Sequence, residues 1–133
     1  MTMTDNDCQL QIEGTVVHGH QLGRRLGFPT ANLDISHLEG ELPPSGVYAA
    51  WATLQDGSRY PSMVNVGYRP TVDNQTHTLS VEANLDGYDG DLYDQRLTLV
   101  IVSRIRDERR MASLDQLIEQ LHSDLEAVRL LLR

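Results

Sequence analysis

The residues most suited to chemistry crowd into one stretch, Gly14 to Asn32, which reads GTVVHGHQLGRRLGFPTAN. Gly14, Gly19, Gly23 and Gly27 are set around the basic pair Arg24 and Arg25, and the stretch closes on Pro29-Thr30-Ala31-Asn32. A glycine-spaced loop lets backbone N–H groups approach a polyphosphate without interference from Cβ, and guanidinium groups add charge and fork-shaped donors. Thr30 and Asn32 contribute two neutral oxygen ligands. Mg²⁺ prefers about six oxygens and takes most of them from water and substrate phosphates, so two protein ligands of this kind suit a metal held jointly with a nucleotide. The segment reads as a nucleotide–metal site.

All eleven basic residues are arginine, and lysine is absent. A Walker A loop needs its Gly-Lys-Ser/Thr, and a protein kinase needs a strand lysine on the α/β-phosphates. Both scaffolds are excluded, so any phosphoryl transfer must rest on backbone N–H groups, arginine and metal. Phosphorylating an alcohol also requires an acceptor for the hydroxyl proton. Glu82 is the candidate. Leu79, Val81, Ala83 and Leu85 alternate with Ser80, Glu82 and Asn84, which is the pattern of a half-buried strand that turns Glu82 away from the apolar side. Periodicity alone makes Glu82 a solvated surface carboxylate.

The elements that must position these groups are mostly β. Residues 9–18 start apolar and β-branched, and Gly46 to Leu54 is a nine-residue apolar run. Asp56-Gly57 marks a hairpin turn into Arg59 to Val66. Asp86 to Asp91 forms an acidic turn, followed by the β-branched run Leu97 to Ile105. Short strands with tight turns and no βαβ alternation predict an antiparallel barrel or sandwich. Residues 36–45, with Pro43 and Pro44, read as an excursion loop. Ser113 and Gln116 form a capping box that opens a final helix, in which Leu114, Leu117, Ile118, Leu121, Leu125, Val128 and Leu132 make one apolar stripe for packing on the strands.

Length and charge bound the rest. At 133 residues the chain is one domain, taken as 9–133 behind a polar leader at 1–8, and a start at Met1 with that leader fits a standalone protein, the alternative being a module cut from a longer one. A net charge of −8 argues against nucleic acid or an anionic membrane as partner. A lone Cys8, no membrane-length apolar run and no signal pattern point to a cytoplasmic protein, expected to act as a monomer.

The Gly-rich loop running into Gly27-Phe28-Pro29-Thr30-Ala31-Asn32 resembles the flavokinase family, meaning riboflavin kinases and the kinase module of bacterial bifunctional FAD synthetases. The likeness continues, in the family's order, through Gly46-Val47-Tyr48, Asn65 to Thr71, Val81-Glu82-Ala83, Asp91-Leu92-Tyr93 and Ile105-Arg106-Asp107-Glu108 to the C-terminal helix. It implies a six-stranded antiparallel Greek-key barrel with that helix packed on it. It further implies transfer of the γ-phosphate of ATP to the 5′-hydroxyl of riboflavin, giving FMN and ADP. In that frame Glu82 is the catalytic base, and Thr30 and Asn32 hold Mg²⁺. Gly19, Arg24, Thr30, Asn32, Leu85 and Tyr93 serve the nucleotide, and Arg106, Arg109 and Gln116 serve the flavin. Met111 and Ala83-Asn84 depart from the residues the family often carries, which leaves fine flavin preference open.

Other signals carry less. His18-Gly19-His20 is similar to the HxGH of nucleotidylyltransferases but lacks the α/β setting that motif needs, so FMN rather than FAD is the expected product. Asp86, Asp89 and Asp91 miss the EF-hand spacing, and the five histidines show no zinc spacing. The rival reading is a flavin- or nucleotide-binding module without catalysis. Joint presence of Thr30, Asn32 and Glu82 speaks against it, because binding flavin needs neither metal ligand nor base.

Overall fold

The computed structural model describes residues 10–17, 30–34, 39–40, 42–70, 77–88, 90, 92–108 and 112–132. They form seven strands, β1 (Gln11–Val17), β2 (Ala31–Leu33), β3 (Glu39–Gly40), β4 (Gly46–Thr53), β5 (Arg59–Pro70), β6 (His77–Leu85) and β7 (Arg96–Arg106), followed by a helix, α1 (Leu114–Leu131). Every pairing is antiparallel, and the strand order is β2-β6-β5-β4-β7-β1-β3 with a further pairing of β2 to β1. That last contact closes a six-stranded barrel. The two-residue β3 lies outside the ring against Ile12 and Glu13, within the segment expected to be an excursion loop. Strands β4, β5 and β6 follow one another as hairpins and β7 returns to lie beside β4, which is a Greek key.

Alternation in the sequence explains most of the wall. In β1, and in β7 as far as Ile101, every second residue is buried, because one face meets the core and the other does not. Ile12, Val16, Leu33, Tyr48, Val64, Val66, Val81, Leu97 and Leu99 are among those that fill the barrel. The unbroken apolar run of β4 has another cause: both of its faces are covered. Tyr48, Ala50 and Ala52 face the barrel interior, whereas Val47 and Ala49 join Met63 in a second core beneath Val128 of α1 and Leu132, its C-cap. The expected packing of the helix on the strands is found. Its stripe is narrower than the leucine pattern suggested, since Leu114 is 56% exposed at the first helical position and Asp124 is buried within the stripe.

Ends and turns follow local rules. Ser113 Oγ accepts a hydrogen bond from Gln116 N (3.2 Å), and Gln116 Oε1 accepts from Ala112 N (3.0 Å), so the predicted capping pair satisfies two N–H groups at the helix start. The Asp56-Gly57 hairpin forms as expected. Gly57 takes φ +89°, and Asp56 Oδ1 accepts from both Ser58 N (2.9 Å) and Ser58 Oγ (2.6 Å). Among the described residues no helix is long and apolar enough to cross a membrane.

Two bulges interrupt the pairing of β7 with β4. Register shifts fall between Val47 and Tyr48 and between Ala49 and Ala50, where Val47 pairs with Arg106, Tyr48 with Arg104, Ala49 with Ser103 and Ala50 with Ile101. Each shift inserts one extra residue in β7, Ile105 and then Val102, and reverses the faces. Arg104 thereby joins the inner end of the barrel, donating to the Tyr48 hydroxyl (2.7 Å) and filling the space where a Cβ at Gly46 (φ +152°) would stand. Arg106, only two residues on, is released to the outer face.

A second tie between helix and barrel is the exposed pair Arg129–Asp86, with Nε to Oδ2 at 2.8 Å and Nη2 to Oδ1 at 3.0 Å. The Arg129 hydrogen bond holds the Asp86 carboxyl below its ordinary range. A carboxyl depressed in the folded state stabilises above its unfolded value, about 3.9, and loses that contribution as pH falls through the folded value. Arg129→Ala should therefore lower Tm at pH 5–7, and the gap to the parent should close below about pH 4. Melting curves across that range decide the point; a gap that persists unchanged at low pH would remove the ion pair as its cause.

Candidate active site

The barrel interior is filled by side chains, which leaves its ends and its outer face for chemistry. On the outer face the strand register builds a row. Asn32 on β2 pairs with Glu82 on β6, Glu82 with Asn65 on β5, Asn65 with Val47 on β4, and Val47 with Arg106 on β7. Directly paired residues in an antiparallel sheet project to the same side with Cβ atoms about 4.5–5.5 Å apart. The flanking residues confirm which side this is. Ala31, Leu33, Val81, Ala83, Val64 and Val66 all pack into the barrel, which leaves Asn32, Glu82 and Asn65 on the outer face, each half-buried.

Among the groups predicted from sequence, the fold brings Asn32 and Glu82 side by side, although they are remote in the chain. Thr30 stands two residues before Asn32, at the entry to β2. Strand β2 itself is absent from the sequence-based expectations. Its signal was present in Ala31 and Leu33 alternating with Asn32 and Asp34, but three residues are too few to stand out.

At the far end of the row Arg106 is clamped. Its Nε donates to Asp124 Oδ1 and Oδ2 (3.0 and 3.1 Å), its Nη2 donates to Oδ2 (2.8 Å), and its Nη1 donates to the Asp107 carbonyl (3.0 Å). Gln120 Nε2 also donates to Asp124 Oδ1 (2.8 Å). The Asp124 side chain is 1% exposed and that of Arg106 18%. A guanidinium has five N–H donors, so this clamp leaves two of them, one on each terminal nitrogen, for a ligand. The sequence reading missed Asp124. Its position between Leu121 and Val128 on the helical stripe was the available clue.

The other predicted residues are dispersed. Leu85 is buried among the residues that fill the barrel, on the opposite side of the wall from Glu82, and Tyr93 packs partly buried against the same cluster. Gln116 is exposed at the helix cap with its carbonyl oxygen already engaged. Gly19, Arg24 and Arg109 lie outside the described residues. One further carboxylate approaches the row: a Cβ at Gly67, two residues beyond Asn65, would collide with that of Glu108. Among the described residues there is no cluster of three or more His, Cys, Asp or Glu side chains that could hold a metal.

These features define a closed Greek-key barrel with a polar row on its outer wall and a helix docked beside it. Residues 7–132 match the family Flavokinase, described as riboflavin kinase, and the chain belongs to that family. A bifunctional riboflavin kinase/FMN adenylyltransferase of Pseudomonas fluorescens is 41% identical over 123 residues, covering 91% of this chain and 38% of the relative. The chain thus spans less than two fifths of that relative's length. A Streptococcus pneumoniae structure described as a macrolide-efflux protein superposes with a TM-score of 0.80 at 35% identity, over 90% of this chain and 38% of the other. Riboflavin kinase from Trypanosoma brucei shares the fold, with a TM-score of 0.64 at 24% identity over 91% of this chain and 78% of the other.

Breaking a buried ion pair from one side strands the other charge, at a cost of about 3–5 kcal/mol. Asp124→Ala should lose that much in urea unfolding, and Arg106→Ala a comparable amount, because Asp124 would be the charge left behind. A loss under about 1 kcal/mol for both would place the pair in the class of solvent-screened surface contacts instead.

Proposed function

We propose that this chain transfers the γ-phosphoryl group of ATP to the 5′-hydroxyl of riboflavin, releasing FMN and ADP. The observation that carries this reading is the register row, in which a half-buried carboxylate, Glu82, is flanked on neighbouring strands by Asn32 and Asn65. Family membership and the riboflavin kinase activity in the relative's name support the choice of substrate.

Chemistry assigns the parts. Phosphoryl transfer of this type proceeds through a loose transition state, so the protein acts chiefly by positioning and by balancing charge. Glu82 accepts a hydrogen bond from the acceptor hydroxyl, turns its lone pair toward phosphorus and takes its proton as the bond to phosphorus forms. The bond from phosphorus to the bridging oxygen breaks, and ADP leaves with that electron pair. Thr30 and Asn32 offer hard, neutral oxygens beside this carboxylate, a donor set that fits Mg²⁺ shared with phosphate oxygens. Bound there, the metal would neutralise the charge on the phosphates. From Glu82 to Arg106 the row spans three strand spacings, roughly 14 Å, a reach suited to the chain and ring of a flavin. Arg106, held by Asp124, keeps two N–H groups in fixed directions for the polar edge of that ring.

The test is direct. Purified protein with riboflavin, ATP and Mg²⁺ should produce FMN, resolved by chromatography, and Glu82→Gln should lower turnover by roughly 10²–10⁴-fold with little change in the affinities for flavin and ATP. Normal turnover by the variant would return Glu82 to a surface role, and an inactive parent that still binds flavin would identify a binding module. Asn32→Ala should cost about 10²-fold in rate at limiting Mg²⁺, since lost contacts to transition-state charge commonly cost that much. Full activity there would reject the metal assignment.

A further inference from the structure

We infer that Asn65 binds a secondary hydroxyl of the acceptor's sugar-alcohol chain and so aligns the terminal hydroxyl with Glu82. The inference rests on the proposed role of Glu82 facing the acceptor. Asn65 is the residue paired directly with Glu82 across β5 and β6, and it projects from the same face because Val64 and Val66 on either side fill the barrel. Along the outer face of β5 it stands between Met63, which is covered by α1, and Gly67, which has no side chain. It is therefore the polar side chain that β5 presents between the carboxylate and the apolar patch under the helix. No described residue hydrogen-bonds its side chain, in contrast to Asp124 farther along, which accepts from both Arg106 and Gln120.

The chemistry matches a polyol. A carboxamide carries both a donor and an acceptor, as a hydroxyl does, so the two can bond in either sense. It is neutral, and it adds no charge beside Glu82 or a phosphate. A half-buried amide loses part of its water on substrate binding and regains the bond only from a ligand group at its own height on the wall. The chain of the acceptor places hydroxyls on successive carbons. When the terminal one lies over Glu82, an inner one falls toward the next strand, where Asn65 stands. Primary alcohols without such a chain lack this anchor.

A cycle of protein and substrate variants tests it. Parent, Asn65→Ala and Asn65→Ser are compared with riboflavin and with flavins that each lack one inner hydroxyl but keep the terminal one. Asn65→Ala should lower kcat/KM for riboflavin about tenfold, the worth of one hydrogen bond left unmade, with KM for ATP unchanged. For one deoxy analogue the parent and Asn65→Ala should be equal, because the bond is already missing from the substrate side. Asn65→Ser should retain part of the discrimination, and melting curves establish that all three proteins fold. Equal kinetics of parent and Asn65→Ala on riboflavin would overturn the inference. So would a tenfold loss that persists with every analogue, since that signals distortion of the wall. Failure of the Glu82 assignment reads differently: Glu82→Gln would turn over normally while the analogue cycle still located a hydrogen bond at Asn65.

Discussion

Closure of the barrel depends on a short antiparallel contact. Val16 pairs with Leu33 and Val17 with Asn32, while Ala31 and Asn32 pair with Ala83 and Glu82 on the other side. Without β2 the wall is an open sheet with two edges, each a row of unpaired N–H and C=O groups. Closing it does more than remove edges. The strand that seals the ring is also the one that carries Asn32, so the ring is closed and the Asn32 amide set beside Glu82 by the same backbone hydrogen bonds. Stability and site assembly are one event in this part of the molecule.

The same economy operates across β4. A strand covered on both faces has no freedom to place polar groups, and β4 contributes Val47 to the middle of the row rather than a reactive side chain. The apolar stretch under α1 separates the polar part of the row from Arg106. A carboxylate and an amide cluster at one end, and a charge-compensated arginine stands at the other, with an apolar floor between them that suits a planar ring. The helix does not line the barrel. It covers the outer wall, and its buried Asp124 sets the direction of Arg106.

Much of the fold was legible because alternation is local. The strand around Glu82, the Asp56-Gly57 turn and the Ser113–Gln116 cap each announce themselves within a few residues, and the outward direction of Glu82 follows from Val81 and Ala83. What sequence periodicity left unread depends on partners far along the chain. A three-residue β2 becomes a strand only between β1 and β6. The row from Asn32 to Arg106 exists only once register is fixed across five strands, so Asn65, which the family likeness included without a role, gains Glu82 as its neighbour only then. Asp124 looked like one more acid on a helix, and nothing local reports that Arg106 lies above it. The family resemblance implied roles for Glu82, Thr30 and Asn32; the row shows that Glu82 and Asn32 stand side by side on paired strands.

The bulges in β7 govern how this wall tolerates change. Since Ile105 is an inserted residue, the face on which Arg106 emerges is set by how many residues separate it from Arg104, and only weakly by which residues they are. Substitutions among the apolar residues there adjust packing by degrees. Deleting Ile105 would restore regular alternation and keep Arg106 opposite Val47 on the outer face, whereas straightening the bulge with every residue kept would act as a parity error, turning Arg106 inward and leaving Asp124 buried under the helix with no cation. The strand is read by its count as much as by its composition.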